Sequence, residues 1–594
     1  MSEKSVIDAV SVDNIRKHVE HIVTNIPSRL AGSENARRMA EYSAETLRQA
    51  GVESQVYPIP AIVSFPGPAE MRVEAPTAIA IQANTLGHSL ATLDDGIAAE
   101  LVYVGSGSYK DYENKNVVGR ITLSELSYSP ARHEKQRIAT EKGAIGAVMM
   151  NWGHDENTAL PWGSVKPAWG VPTADTIKTE MPGIPCIGIA RTAGLELKRL
   201  CERGPVRVWL RTHVENGWRP VHLTVGRLQA PHGREFVVVG GHQDSWVGQA
   251  ATDNAAGNAC IMELARVFSA HRNELRRGLD FAFWTAHETG TMAGSAWYVD
   301  REWERLRENA IGYLLIDQPA CIGTSRWLTR SNMEMKRFHQ AIEQRLLNGR
   351  PNDWRAQQKG GDASFLGLGV PMMYGMTGYT EDELKKTADA TFGWWHHSDQ
   401  CNIDKLDWTL MAEHIRIYAA YLWELCTAPV IPFYFEGVAK QFCVRLETLC
   451  KLDGIEALDL NGTLGRAQTF QTAAMRLDQL IDQWSEHYRA RNDAADAPAD
   501  RLNRCIKRLS RLLLPIQSTA KGTYGHDPYG YTPQTTMIPC LYDVPRLAKM
   551  PRENEERWML ETQLVRDRNR VTDALSDACA LIDDTLATVG APKK

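Results

Sequence analysis

Five residues in this chain carry side chains that bind divalent cations and stand where strand-like runs end. They are His242 in Gly-Gly-His-Gln-Asp, Asp253 in Thr-Asp-Asn-Ala-Ala-Gly, Glu288 in Ala-His-Glu-Thr-Gly, Asp317 in Leu-Leu-Ile-Asp and His397 in Trp-Trp-His-His-Ser-Asp. Imidazole nitrogens and carboxylate oxygens suit Zn²⁺ or a similar ion. Two such ions side by side can activate water and hold both ends of a displacement. Asp244, just beyond His242, is spaced to be an outer carboxylate that orients an imidazole. Each residue alone has a plainer reading: His242 as a turn or core residue, Asp253 as a helix N-cap, Asp317 as a loop cap. The set of five on one edge is what points to metal chemistry.

The elements around these residues would bring most of them together. Residues 236–241 form a short apolar run, a helical pattern runs from Asn254 to about His271, and strand-like runs follow at 279–286 and 311–316. Strand and helix alternate, which predicts an α/β core, a largely parallel mixed sheet with helices on both faces. Ligands in such sheets sit beyond the carboxyl ends of strands. His242, Glu288 and Asp317 therefore emerge on one edge. His397 is distant in the chain, and only the fold can deliver it.

Upstream, Ala36, Met39, Ala40, Ser43 and Leu47 share a helix face, with Gly51 as a stop. A β-like segment at Val52, Ser54 and Val56 leads into what reads as proline-rich turns from Pro58 to Pro68. Short strands and a helix between Leu101 and Ile189 read as a compact α/β module. Beyond Pro429 the periodicity is helical over 436–515 and 554–588, with an acidic, alanine-rich break near 491–500 and a loop at 521–539. The expected organisation is a core of residues 1–90 and 216–428, an insert of 91–215, and a helical domain of 429–594.

With 594 residues, 43% apolar and 23% charged, the chain is too long for one core and reads as an ordinary globular protein. Its net charge of −5 offers no electrostatic reason for nucleic acid binding. No run of 18 apolar residues predicts a membrane span. Acids in the first residues, Met-Ser-Glu-Lys-Ser-Val-Ile-Asp, disfavour a secretory signal, so a cytoplasmic location is expected. Eleven cysteines without a Cys-x-x-Cys pair form neither a disulfide framework nor a thiolate zinc site, and Cys260 and Cys443 read as small core residues.

The ligand blocks resemble the zinc aminopeptidase superfamily, and within it the branch containing glutamate carboxypeptidase II and the transferrin receptor. The segments 240–246, 252–257, 281–290 and 397–407 are similar to that family's blocks in order and spacing. The insert resembles its protease-associated domain and the C-terminal helices its dimerisation domain, which implies a homodimer. The resemblance further implies two divalent ions, zinc by analogy, although Mn²⁺, Fe²⁺ or Co²⁺ also suit an O/N site. One ion would be held by His242 and Asp317, the other by Glu288 and His397, with Asp253 bridging. His397 fits better than His396 because of its spacing to Asp404-Lys-Leu-Asp, which leaves His396 as a pocket-wall residue. Receptor relatives have lost ligands, whereas this chain keeps all five.

Two departures stand out. Peptidases of this family carry consecutive acids at 287–288, the first a general base, and here the pair is His287-Glu288. Histidine can take a proton near neutral pH, although two nearby cations favour its neutral form. In glutamate-releasing relatives a C-terminal loop supplies Lys-Tyr to the substrate carboxylate; here Tyr529 matches the tyrosine but Pro528 replaces the lysine. The run Phe392-Gly-Trp-Trp-His-His, with Trp395 and His396, suggests an aromatic-walled pocket instead. The leading expectation is a dinuclear-metal hydrolase that cleaves a C–N bond of a small or short peptide substrate with His287 relaying protons. The alternatives are a metal-dependent lyase on a small polar molecule and an inert, transferrin-receptor-like binding protein.

Overall fold

The computed structural model describes residues 3–231, 233–491 and 497–592, so the centre of the break expected near 491–500 lies outside the described residues. Thirteen strands among them are β1 (Glu53–Ala75), β2 (Ile79–Thr85), β3 (Ile97–Tyr103), β4 (Ile121–Glu125), β5 (Gly146–Met150), β6 (Cys186–Ile189), β7 (Val206–Leu228), β8 (Phe236–His242), β9 (Gly278–Trp284), β10 (Ala310–Leu315), β11 (Arg326–Ser331), β12 (Asn352–Ala356) and β13 (Met372–Gly378). They form one sheet in the order β1-β2-β6-β5-β4-β3-β7-β9-β8-β10-β13-β11-β12.

Its central part is the expected α/β layer. β8 pairs parallel with β9 and β10, and β10 pairs parallel with β13. β7 and β11 run antiparallel to this group, so the sheet is mixed. Every residue of β8, β9 and β10 is buried, because helices cover both faces. Side chains alternate between two cores. Val237 and Val239 join the cluster shared with the helices Ala256–Ala270 and Trp408–Thr427, while Phe236 and Val238 face Tyr298, Leu306 and Tyr313. Four parallel strands place four loops on one edge, and β13 brings the 379–407 segment to the edge that carries the ends of β8, β9 and β10.

The proline-rich stretch corrects the expectation of turns. β1 runs unbroken through Pro58, Pro60, Pro66 and Pro68, paired antiparallel with the equally long β7. All four prolines occupy alternate positions, and the inner half of β1 has no second neighbour. Pro58, Pro60 and Pro66 lie where β1 pairs only with β7, so a missing N–H there can face the open edge, whereas Pro68 sits at the register shift where pairing with β2 begins. The outer halves of β1 and β7 close with β2 to β6 into a second layer around its own core of Leu101, Ile121, Val148 and Ile187.

The helices Glu436–Cys450, Leu460–Arg491, Ala497–Ser518 and Glu555–Val589 share one continuous core with the central sheet. Arg511 clamps the two together: its buried guanidinium donates to the carbonyls of Leu306, Arg307, Ala310 and Gly369. No helix among the described residues is long and apolar enough to cross a membrane. Arg511→Met orphans these four acceptors and is expected to lower unfolding stability by about 3 kcal/mol or more. Chemical denaturation would check this, and a loss under about 1 kcal/mol would disprove the clamp.

Candidate metal centre

The five residues expected as ligands converge around the carboxylate of Asp253. His242 Nε2 lies 2.9 Å from Asp253 Oδ1 and 3.4 Å from Asp317 Oδ1. His397 Nε2 lies 3.3 Å from Asp253 Oδ2 and 3.0 Å from Glu288 Oε1. His242 ends β8, Glu288 and Asp317 follow β9 and β10, and His397 comes from the loop after β13. Asp253 sits in the irregular turn that opens the helix at Ala256, and its side chain does not cap that helix. All five are buried.

The donor set fits divalent metal. Ligand atoms of His242, Asp253 and Asp317 lie within 4.8 Å of one another, as do those of Asp253, His396 and His397. Glu288 Oε1 and Asp317 Oδ1 have no hydrogen-bond partner despite close neighbours, as expected of lone pairs directed at a cation rather than at each other. In the protein alone, charge is balanced by protons. Burial opposes charge on His242, but Asp317 and Asp253 prevail and hold its imidazolium well above the usual histidine range. Burial likewise opposes ionisation of Glu288, and His397 draws its carboxyl down. A bound cation would replace those protons.

Supporting contacts orient these groups. The Asp244 main-chain oxygen, not its carboxylate, accepts from His242 Nδ1 at 2.8 Å. The expectation that the carboxylate orients an imidazole is thus corrected: it accepts the amides of His287 and Glu288, both at 3.1 Å, and holds that turn. Arg29 is fully buried and donates to the carbonyls of Ile26, Gln243, Gln249 and Ala250, pinning the loop beyond β8. A guanidinium nitrogen of Arg132 lies 3.0 Å from His397 Nδ1. Arginine only donates, so in this arrangement His397 keeps its proton on Nε2. A cation at Nε2 requires the Arg132 contact to open.

His287 lies beside the ligands with its ring stacked on His242 at 3.9 Å. Its Nδ1 is 2.8 Å from Asp362 Oδ2, a carboxylate in the segment between β12 and β13. Burial and charged His242 push the His287 pKa down, but Asp362 more than offsets them and raises it to about 9. Asp362 was not among the residues singled out from sequence, where no motif marks it.

Asp253, His287, Glu288, Asp317, His396 and His397 line a cavity of about 240 Å³, closed by Trp152, Phe392, Arg132 and Tyr529. A second cavity of about 530 Å³ shares Asp317, Phe392 and Tyr529 and extends to Arg330, Lys359 and Tyr374. Tyr529 and His396 both line the smaller cavity. Trp395 does not: it packs with Cys321 and Cys401 at 3% exposure, and Trp152 from the insert supplies the aromatic wall instead. Lys359 Nζ donates to the Asp527 carbonyl at 2.8 Å, beside Pro528 and Tyr529.

Asp244→Ala is expected to lower divalent-metal affinity about 10–100-fold, the usual effect of losing an outer partner. Metal titration of the apoprotein measures it, and unchanged affinity would sink the positioning role.

Residues 224–422 match the profile of peptidase family M28. Carboxypeptidase Q of Xenopus laevis is 25% identical over 288 residues, covering 46% of this chain and 59% of that protein, less than two thirds of its length. A probable glutamate carboxypeptidase of Zea mays aligns at 21% identity over 617 residues, covering 89% of this chain and 83% of that one. Among solved structures, a peptidase M28 precursor from Shewanella amazonensis superimposes with a TM-score of 0.57 at 20% identity, over 71% of this chain and 95% of that one. A zinc aminopeptidase from Bacillus subtilis gives 0.51 at 17% identity, over 70% and 96%. At these identities the structural likeness speaks for the fold. Residues 224–422, the stretch that matches peptidase family M28, carry all five expected ligands.

Proposed function

We propose that this protein is a two-metal hydrolase that breaks an amide or peptide-like C–N bond in a small substrate. The carrying observation is that the single carboxylate of Asp253 lies 2.9 Å from His242 Nε2 and 3.3 Å from His397 Nε2. In this reading His242 and Asp317 would hold one ion, Glu288 and His397 the other, with Asp253 shared. Divalent ions there would supply Lewis acidity toward the scissile carbonyl and lower the pKa of water toward neutrality.

The chain's own residues do the rest. Without metal His287 is held protonated by Asp362, but two cations bound beside it would favour the neutral ring. Asp362 accepting from Nδ1 would then leave Nε2 to take a proton from the attacking water and return it to the leaving nitrogen. Phe392, Trp152 and Tyr529 wall the smaller cavity and limit bulk water. Arg132, once released from His397, lines the smaller cavity and Arg330 the larger. A substrate bearing a carboxylate suits them. The combined space favours a dipeptide-sized or amino-acid-like amide over a folded protein.

The separate core around Leu101, Ile121, Val148 and Ile187 fits reading 91–215 as a protease-associated-like insert, and 429–594 is read as a dimerisation domain, hence a homodimer. Free thiols at every described cysteine suit a reducing cytoplasm. Chelation is expected to abolish amide hydrolysis, and Zn²⁺, Mn²⁺ or Co²⁺ to restore it. His287→Gln should lower kcat by about 10²–10⁴-fold with metal content unchanged by elemental analysis. Full activity in the chelated protein would overturn the metal reading, and a wild-type rate in the variant would overturn the proton relay.

A further inference from the structure

We infer that His396 is an additional metal ligand, binding through Nδ1 beside His397, so that the two metal positions are unequal; the inference rests on the two-metal reading above. His396 Nδ1 lies 3.2 Å from Asp253 Oδ2, the same oxygen that His397 Nε2 approaches at 3.3 Å. Its side chain is only 8% exposed, yet Nδ1 has no hydrogen-bond partner. A buried ring nitrogen without a partner is costly unless something else takes its lone pair. The ring is held in place, stacked on His397 at 3.9 Å and flanked by Phe392 at 5.1 Å and Trp152 at 5.5 Å. Its ligand atom lies within 4.8 Å of those of Asp253 and His397, a spacing suited to a shared ion.

Counting donors gives the consequence. With Glu288 joined through its 3.0 Å approach to His397, one position would have His396, His397, Glu288 and a share of Asp253, and the other His242, Asp317 and a share of Asp253. Four protein donors complete a tetrahedral shell, whereas three leave a place for substrate or water. The open place then belongs to the His242 side, where His287 stacks. The ion on the His396 side should be the tighter one, and its second imidazole favours a borderline transition metal such as Zn²⁺ or Co²⁺ over Mg²⁺ or Ca²⁺.

The test is a Co²⁺ titration of the full-length apoprotein, followed by visible absorption, elemental analysis and X-ray absorption at the metal edge. Wild type should bind two ions in separable steps, with an average of about 1.5 imidazoles per ion from three histidines. His396→Phe should weaken the first step by at least the about 10–100-fold that loss of an outer partner causes. It should also lower the imidazole average to about one. His396→Gln, which keeps a polar side chain, should show the same loss if Phe perturbs folding, and circular dichroism of both apoproteins reports the fold. Two ions bound by wild type with unchanged affinity and imidazole count in a folded variant would overturn this inference alone. Fewer than one ion bound by wild type would overturn the two-metal reading with it.

Discussion

The Asp253 carboxylate lies between two imidazoles that the chain delivers from opposite ends of its core, His242 at the end of β8 and His397 in the loop after β13. An acid buried this deeply is tolerated only with charged or hydrogen-bonding partners on its oxygens. Burial opposes its ionisation, yet the imidazoles around it, among them His242 and His397 at hydrogen-bond distance, hold its pKa well below the usual carboxylate range. The neighbouring residues explain how it is kept in place. Asn254 Nδ2 donates to the Ile316 carbonyl at 3.0 Å, and Asn258 Nδ2 donates to the His242 carbonyl at 2.8 Å. Two asparagines thus tie the turn of Asp253 to the ends of β8 and β10. Gly257 is needed for this, since a Cβ there would meet Asn254 Oδ1 at 2.1 Å and the Ile316 oxygen at 2.7 Å. The Asp-Asn-Ala-Ala-Gly run is one device: a ligand, a strap, and room for the strap.

Around this carboxylate the site is rich in nitrogen. His242, His287, His396 and His397 all line or border one small space, where two imidazoles would serve a simple dinuclear centre. His287 borders this space, and its partner Asp362 comes from a distant segment, so a carboxylate stands behind the imidazole.

The parallel strands could be read from sequence because both faces are covered. Continuous apolar runs such as Phe236–Gly241 and Leu279–Trp284 leave few other assignments, and ligands follow directly from where those runs stop. The long arm of β1 could not be read in this way. Its prolines argue for turns until the pairing with β7 is known, because only the pairing says which edge of the strand is free. Asp362, Arg132 and Trp152 were equally silent: each lies in a segment with no motif, and each matters only through a neighbour more than 70 residues away or in another layer. Trp395 shows the opposite error. Its place beside two histidines suggested a wall, but consecutive residues in a tight turn point in different directions, and it turned inward.

The sequence alone determined the chemistry available: two acids and an imidazole at strand ends, an acid at a helix start, and a histidine pair downstream, in an order that suits divalent cations. These follow from local rules of hydrophobic period and residue type. Tertiary structure decided which atoms meet. It brought His397 to Asp253, gave the Asp244 carboxylate two amides instead of an imidazole, and set Asp362 behind His287. The reason is that periodicity reports which face a residue takes on its own element, while distances between elements depend on how whole layers pack.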